Sequence, residues 1–286
     1  MGPLAAVGLS VLLHVSWNLL TRRTHGEANF LWWIVGLHGL LVAPFALPAF
    51  LHAAQQAPAL YLCALLSGTA NGVYFVALRH AYQHAPAGVV YPLVRSSPLL
   101  IAVVEACWFG RDFSLLAWAA IALAVLGLWF IATSQVEPGQ RIGRAWPLAL
   151  LAALMTVCYS LSDKQAAPHL PQLSVALGYV CMNYLLAWPF LAVDQRLRTG
   201  RWLPQRRPSG RALAIGVLGV GSAYALVIHA MRGLPAAHVV ALTNAGIVLT
   251  VLLGILWLHE HSGWRRRMAG AGMVAAGLGG VVWSAV

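Results

Sequence analysis

Residues 80–111 read HAYQHAPAGVVYPLVRSSPLLIAVVEACWFGR, and residues 229–260 read HAMRGLPAAHVVALTNAGIVLTVLLGILWLHE. Shifted by 149 positions, one stretch lies on the other without a gap. His80, Ala81, Pro86, Ala87, Val90, Leu93 and Trp108 fall on His229, Ala230, Pro235, Ala236, Val239, Leu242 and Trp257. Both are apolar for long enough to cross a bilayer, and each span starts at a proline, which suits the first helical position. Self-similarity of this kind predicts a chain of two related halves. The first copy also places Arg95 between Pro92 and Pro98, and Glu105 beyond them, where water is scarce.

The surrounding composition fits a membrane. Of the 286 residues, 60% are hydrophobic and 9% charged, with a mean hydropathy of +0.75, whereas soluble domains carry roughly 25% charged residues. So little polar surface could not cover a water-soluble fold. The net charge of +11 does not point to nucleic acid, because the arginines lie in short segments between apolar runs. Cys63, Cys107, Cys158 and Cys181 fall inside apolar runs without CxxC spacing, so small core residues are expected rather than disulfides or metal ligands. The first twenty residues lack a basic leader region and a small-x-small cleavage site, so a retained first helix is expected there.

Ten segments have spanning length: about 3–21, 30–51, 58–81, 86–109, 114–134, 145–163, 171–193, 211–232, 236–258 and 264–285. Their length and lack of period-2 alternation predict helices rather than a barrel. The expected fold is therefore an all-α polytopic membrane protein, with repeats over 1–135 and 136–286 forming one membrane domain. Five helices per repeat give opposite orientations, the inverted arrangement of secondary transporters, whose substrates bind near the midplane between the halves. Counting Lys and Arg in the connections puts Arg22, Arg23, Arg79, Arg141, Arg144, Arg196, Arg198, Arg201, Arg206, Arg207, Arg211, Arg265, Arg266 and Arg267 on one side. Only Arg111, Lys164 and Arg232 lie on the other. The Arg-rich connections are expected in the cytoplasm and both termini outside.

At the residue level, HVSWNLLTRR (14–23) resembles the His-x-x-Trp-Asn opening of the EamA-type members of the drug/metabolite transporter superfamily. LHEHSGWRRRMAGAGMVAAGLGG (258–280) resembles their closing pattern, with Glu260, Gly270 and Gly277. The first half keeps FGRDFSLLAWAAIALAVLG (109–127), but Arg111 stands where the repeat and the family would have Glu. The resemblance spans the chain. It implies two five-helix halves and export of amino acids or other small metabolites, or carriage of nucleotide-sugars and lipid-linked compounds. Family members usually have cytoplasmic termini, the reverse of the charge count.

Arg95 is nine residues after Pro86, about 14 Å along a helix and close to the midplane. A charge there costs on the order of 3 kcal/mol even on lenient insertion scales. Pro92 and Pro98 free the carbonyls of Gly88 and Val94 and favour an opened backbone. Arg95 is either a structural arginine bonded to such carbonyls or the anchor of an anionic substrate. Asn244, beside Thr243, takes the equivalent place in the second repeat, without prolines nearby. Glu105 lies about 15 Å further along the helix, as a proton-exchange carboxylate, a receptor for a substrate amine or a hydrated boundary residue. His14, Trp17, Asn18 and Thr21 share one helix face, which either lines a pathway or bonds neighbouring helices. In the sixth span stand Tyr159, Ser160, Asp163 and Lys164, the last two reading as a snorkelling pair near a helix end. Tyr74 with Asn71, Tyr91, Tyr179 with Asn183, and Tyr224 complete the polar candidates. Trp32, Trp33, Trp202 and Trp264 read as interface anchors, and Glu260 as architectural. The glycines at 216, 219, 221, 270, 272, 277, 279 and 280 read as close-packing faces.

No catalytic set stands out: HEHSGW (259–264) lacks the HExxH spacing, and GxSxG and an intramembrane Asp pair are missing. The function these residues point to is efflux of a small polar metabolite, amino acids or related amines first, by alternating access rather than enzymatic catalysis. The substrate-binding set would be Arg95, Asn244, Thr243, Tyr91, Trp17, Asn18, His14, Tyr74, Tyr159 and Tyr224, with Glu105 or His14 carrying protons. A phosphate-bearing or lipid-linked substrate is the alternative within that class, and an integral membrane transferase the alternative outside it. The expected partners are the small-molecule substrate and membrane lipids, with no nucleic acid, cofactor or metal. A monomer is the expected state.

Overall fold

The computed structural model describes residues 1–21, 29–134, 143–256 and 263–285, except the side chains of residues 17–21 and 87. Every element described is helical: α1 Pro3–Thr21, α2 Phe30–Gln56, α3 Ala59–Tyr82, α4 Ala87–Val94, α5 Ser97–Phe109, α6 Leu115–Thr133, α7 Ala145–Ala166, α8 Leu173–Thr199, α9 Gly210–Ala230, α10 Ala236–Thr243, α11 Ala245–Leu256 and α12 Trp264–Ala285, with a 3₁₀ turn at Ala167–His169. Among the described residues, nine stretches are long and apolar enough to span a membrane, and Pro3–Ser16 is a shorter apolar helix. Local signals mark the ends. Ser114 and Ser209 cap α6 and α9 by accepting from Ala117 N and Ala212 N. Gly110 and Gly200 close α5 and α8 at φ 61° and 71°, a left-handed backbone that glycine adopts without a Cβ clash.

Residues 88–109 and 236–256 each have the length and apolarity of one span, as expected, and the backbone opens at Arg95 as Pro92 and Pro98 lead one to expect, whereas the break at Asn244 is unexpected. Each crosses as two short helices: α4 and α5 meet at Arg95–Ser96, and α10 and α11 meet at Asn244. In the first, Pro92 lies inside α4 and Pro98 opens α5. The second breaks without a proline.

Two compact units are present. One comprises residues 1–76 and 162–233. In it α2 packs along α8, and α1 and α8 pack on α9. Gly36, Gly39 and Gly178 make room for Trp188, Leu185 and Phe50. Trp32 is buried here against Trp188 rather than anchoring at an interface. The other unit comprises residues 77–161 and 234–286. Its main contact is α6 on α12, where an added Cβ at Gly277 would lie 2.6 Å from Ala120 O and one at Gly127 would lie 2.7 Å from Gly270 O. Only small residues permit that approach. Gly272 and Gly279 face open space instead, so they are not part of the packing face. Cys107 and Cys158 are exposed and not core residues as expected, while Cys181 is buried.

Candidate functional site

The two helix breaks meet inside the second unit. The backbone turn at Arg95 (φ −74°, ψ 1°) interrupts the helical ladder, and Leu99 N turns to Ser96 O instead of Arg95 O. Asn244 Nδ2 donates to the released Arg95 carbonyl at 3.1 Å. One break thus satisfies the backbone of the other, which a buried carbonyl requires. Asn244 Oδ1 and Ser97 Oγ are buried beside these breaks with no hydrogen-bond partner among the described residues.

The Arg95 guanidinium lies across the same junction. Its Nη1 donates to Thr243 Oγ1 at 3.1 Å and its Nη2 to Tyr91 Oη at 2.7 Å, with Cζ 5.0 Å from the Tyr91 ring centroid. Trp129 Nε1 donates to Ser96 Oγ at 2.8 Å, fixing the turn from α6. Arg95, Tyr91, Thr243 and Asn244 therefore form one half-buried cationic cluster, with hydroxyls orienting the guanidinium. Chemically it can present a fixed fork of N–H donors to a carboxylate or phosphate.

Glu105 is elsewhere engaged. It is 2% exposed, so the hydrated-boundary reading does not hold. Its two oxygens accept from Ala236 N and Ala237 N at 3.0 and 2.9 Å, the first free amides of α10. A carboxylate there favours the positive end of the helix. Arg111 Nε lies 3.9 Å from Glu105 Oε1, which gives the unexpected arginine of the first repeat a partner. On α10, His238 is buried against Phe113, with ring centroids 5.5 Å apart.

A second polar cluster lies in the first unit. Asp163 is not a snorkelling residue: it is 0% exposed, because α7 continues past it to Ala166 and then into the 3₁₀ turn. Tyr179 Oη donates to its Oδ1 at 2.9 Å, and Tyr224 Oη donates to its Oδ2. Ser67 and Asn183 complete the shell, with Asn183 Nδ2 donating to Ser67 Oγ at 2.9 Å. Lys164 Nζ donates to Met231 O. Of the remaining candidates, His14 is half-buried on α1, Tyr74 on α3 and Tyr159 on α7. The side chains of Trp17, Asn18 and Thr21, and the whole of Glu260 and Trp257, lie outside the described residues.

Sequence reasoning missed the Asp163 shell as a unit, though part of its signal was present. Tyr179 and Asn183 are four residues apart on α8, as Ser67 and Asn71 are on α3, and such pairs share a helix face.

Ionisable groups buried within apolar spans are by default candidates for a solute or proton pathway. The match to known proteins is specific. The EamA-like transporter family matches residues 2–133 and again 144–283, and the chain belongs to that family, within the drug/metabolite transporter superfamily. The threonine/homoserine exporter RhtA of Escherichia coli (strain K12) is 25% identical over 225 residues, covering 79% of this chain and 71% of that protein. The RhtA of Escherichia coli O6:H1 (strain CFT073) matches to the same extent. A solved structure aligns over 99% of this chain and 94% of its own, with a TM-score of 0.67 at 19% identity, a likeness of fold. The protein is a multi-pass membrane transporter of small metabolites.

Proposed function

We propose that this transporter exports amino acids or related amines by alternating access, with Arg95 holding the substrate's carboxylate. The carrying observation is the guanidinium at a helix break, oriented by Thr243 Oγ1 and Tyr91 Oη. Irregular backbone at membrane depth is tolerated where it lines a cavity or packs within protein. Broken helices at corresponding places in two repeats are the usual sign of a transporter binding site. The likeness to a threonine/homoserine exporter favours an amino acid over a phosphate-bearing or lipid-linked substrate. His14, Trp17, Asn18, Tyr74, Tyr159 and Tyr224 remain candidates for the rest of the pathway.

The inverted repeat belongs to the same proposal. Its support is that one family matches the chain twice, and that α4–α5 and α10–α11 both follow a proline and both break. Corresponding helices also pack on each other, α2 on α8 and α6 on α12. With ten spans, the charge count would place the Arg-rich connections in the cytoplasm and both termini outside.

Counterflow in proteoliposomes tests the substrate class, using labelled amino acids, polyamines and phosphorylated metabolites. Exchange of amino acids alone is expected. Exchange of phosphorylated compounds alone would reassign Arg95 to a phosphate, and exchange of none by folded protein would contradict the carrier reading.

A further inference from the structure

The geometry points to Asp163 as a proton-carrying site of this transporter, alternating between carboxylate and carboxylic acid. The inference starts from burial. An ionised carboxylate with 0% exposure inside a membrane helix is costly to desolvate and asks for compensation. Among the described residues, the side chains hydrogen-bonded to it are neutral: Tyr179 on Oδ1, Tyr224 on Oδ2, and Ser67 and Asn183 around them. Hydrogen bonds from neutral groups hold the anion without cancelling its charge.

A second observation shows what would cancel it. Asn183 is 0% exposed and its Oδ1 is buried with no partner among the described residues, while its Nδ2 is used by Ser67 Oγ. A buried acceptor left unsatisfied is expensive, and this one belongs to the shell of the carboxylate. When a proton from water adds to one carboxylate oxygen, an O–H bond forms and the charge goes from −1 to 0. As it stands the Asn183 amide N–H faces the carboxylate; once the carboxyl is itself a donor, a half-turn of that amide would bring Oδ1, the acceptor with no partner among the described residues, onto the new O–H. One phenol keeps its bond to the other oxygen. On release the proton returns to water and the O–H bond breaks, leaving the carboxylate with its original donors. Both oxygens already carry a phenol, and the proton neutralises the site without requiring space for a larger cation.

The groups facing Asp163 from each packed helix fit this assignment. They are Ser67 and Cys63 on α3, Tyr179 and Asn183 on α8, and Tyr224 on α9, with Ser160 and Lys164 nearby on α7 itself. Among imidazoles of the unit, His38 on α2 is bonded to Val217 O at 2.7 Å, and His14 lies on α1. Of the other buried carboxylates among the described residues, Glu105 spends both oxygens on backbone amides and Asp194 is paired with Arg198.

The inference rests on the transporter reading for its role in coupling, but proton binding itself is tested independently of transport. Infrared difference spectra of the intact protein in nanodiscs, recorded across pH, should contain a protonated-carboxyl band that disappears in Asp163→Asn and shifts in Asp163→Glu. Asn183→Leu should also move that band, by removing its acceptor. In proteoliposomes, accumulation of labelled threonine driven by a pH gradient should fall in Asp163→Asn to the level of protein-free vesicles and recover in part in Asp163→Glu. Spectra unchanged by Asp163→Asn would overturn the proton site whether or not transport is seen. A band that follows Asp163 in a protein that exchanges nothing would leave the proton site standing and count against the carrier reading. Gradient-driven accumulation that survives Asp163→Asn would remove the coupling role. Gel filtration of each variant confirms that it is folded.

Discussion

Arg95 and Glu105 share one sequence stretch but have different roles. Glu105 makes two charge-assisted bonds to the start of α10, so its removal should act on stability. Glu105→Gln keeps the shape but loses the charge, and should lower unfolding free energy by about 1–2 kcal/mol, measurable by denaturant titration in detergent. A variant as stable as the parent would contradict the capping role. Asn244→Ala removes the donor on the Arg95 carbonyl, at an expected cost of about 1–3 kcal/mol, read in the same titration. Arg95 was legible in the sequence because a guanidinium in an apolar run needs an explanation from its cost alone. The role of Glu105 was not, since its partners are backbone amides 131 and 132 positions away. Asp163 was obscured by Lys164, which made an adjacent pair resemble a helix end until the helix was seen to run on to Ala166.

At the scale of elements, helix positions were readable from apolar length and from the prolines, serines and glycines at their ends. The Arg95 break has a local cause in Pro92 and Pro98, whereas the Asn244 break is secured by a tertiary contact that no window of sequence contains. Close packing of α6 on α12 was only partly legible: Gly270 and Gly277 face the partner helix, but Gly272 and Gly279 do not. Gly277→Leu should therefore destabilise the protein by about 1–3 kcal/mol or more, while Gly279→Leu should be near neutral. Thermal unfolding of the two variants side by side checks this. Equal effects would mean that α12 does not present that face to α6.

For the whole molecule, membrane class and family were written in composition and in loose motifs along the chain, because the bilayer imposes long apolar helices on any sequence that spans it. Orientation depends on the charge count. It predicts that a cysteine added after Val286, in a background with Cys107 and Cys158 replaced, reacts with an impermeant thiol reagent in intact cells; labelling only after lysis would reverse the orientation. The central claim is that Arg95 recognises a substrate carboxylate, and one comparison isolates it. Counterflow of a transported amino acid should be compared with that of its decarboxylated amine, in the intact protein, Arg95→Lys and Arg95→Ala. The intact protein should strongly prefer the amino acid, Arg95→Lys should keep part of that preference, and Arg95→Ala should lose it. A preference that survives Arg95→Ala in folded protein would contradict the claim and leave Arg95 as a structural clasp between the two helix breaks.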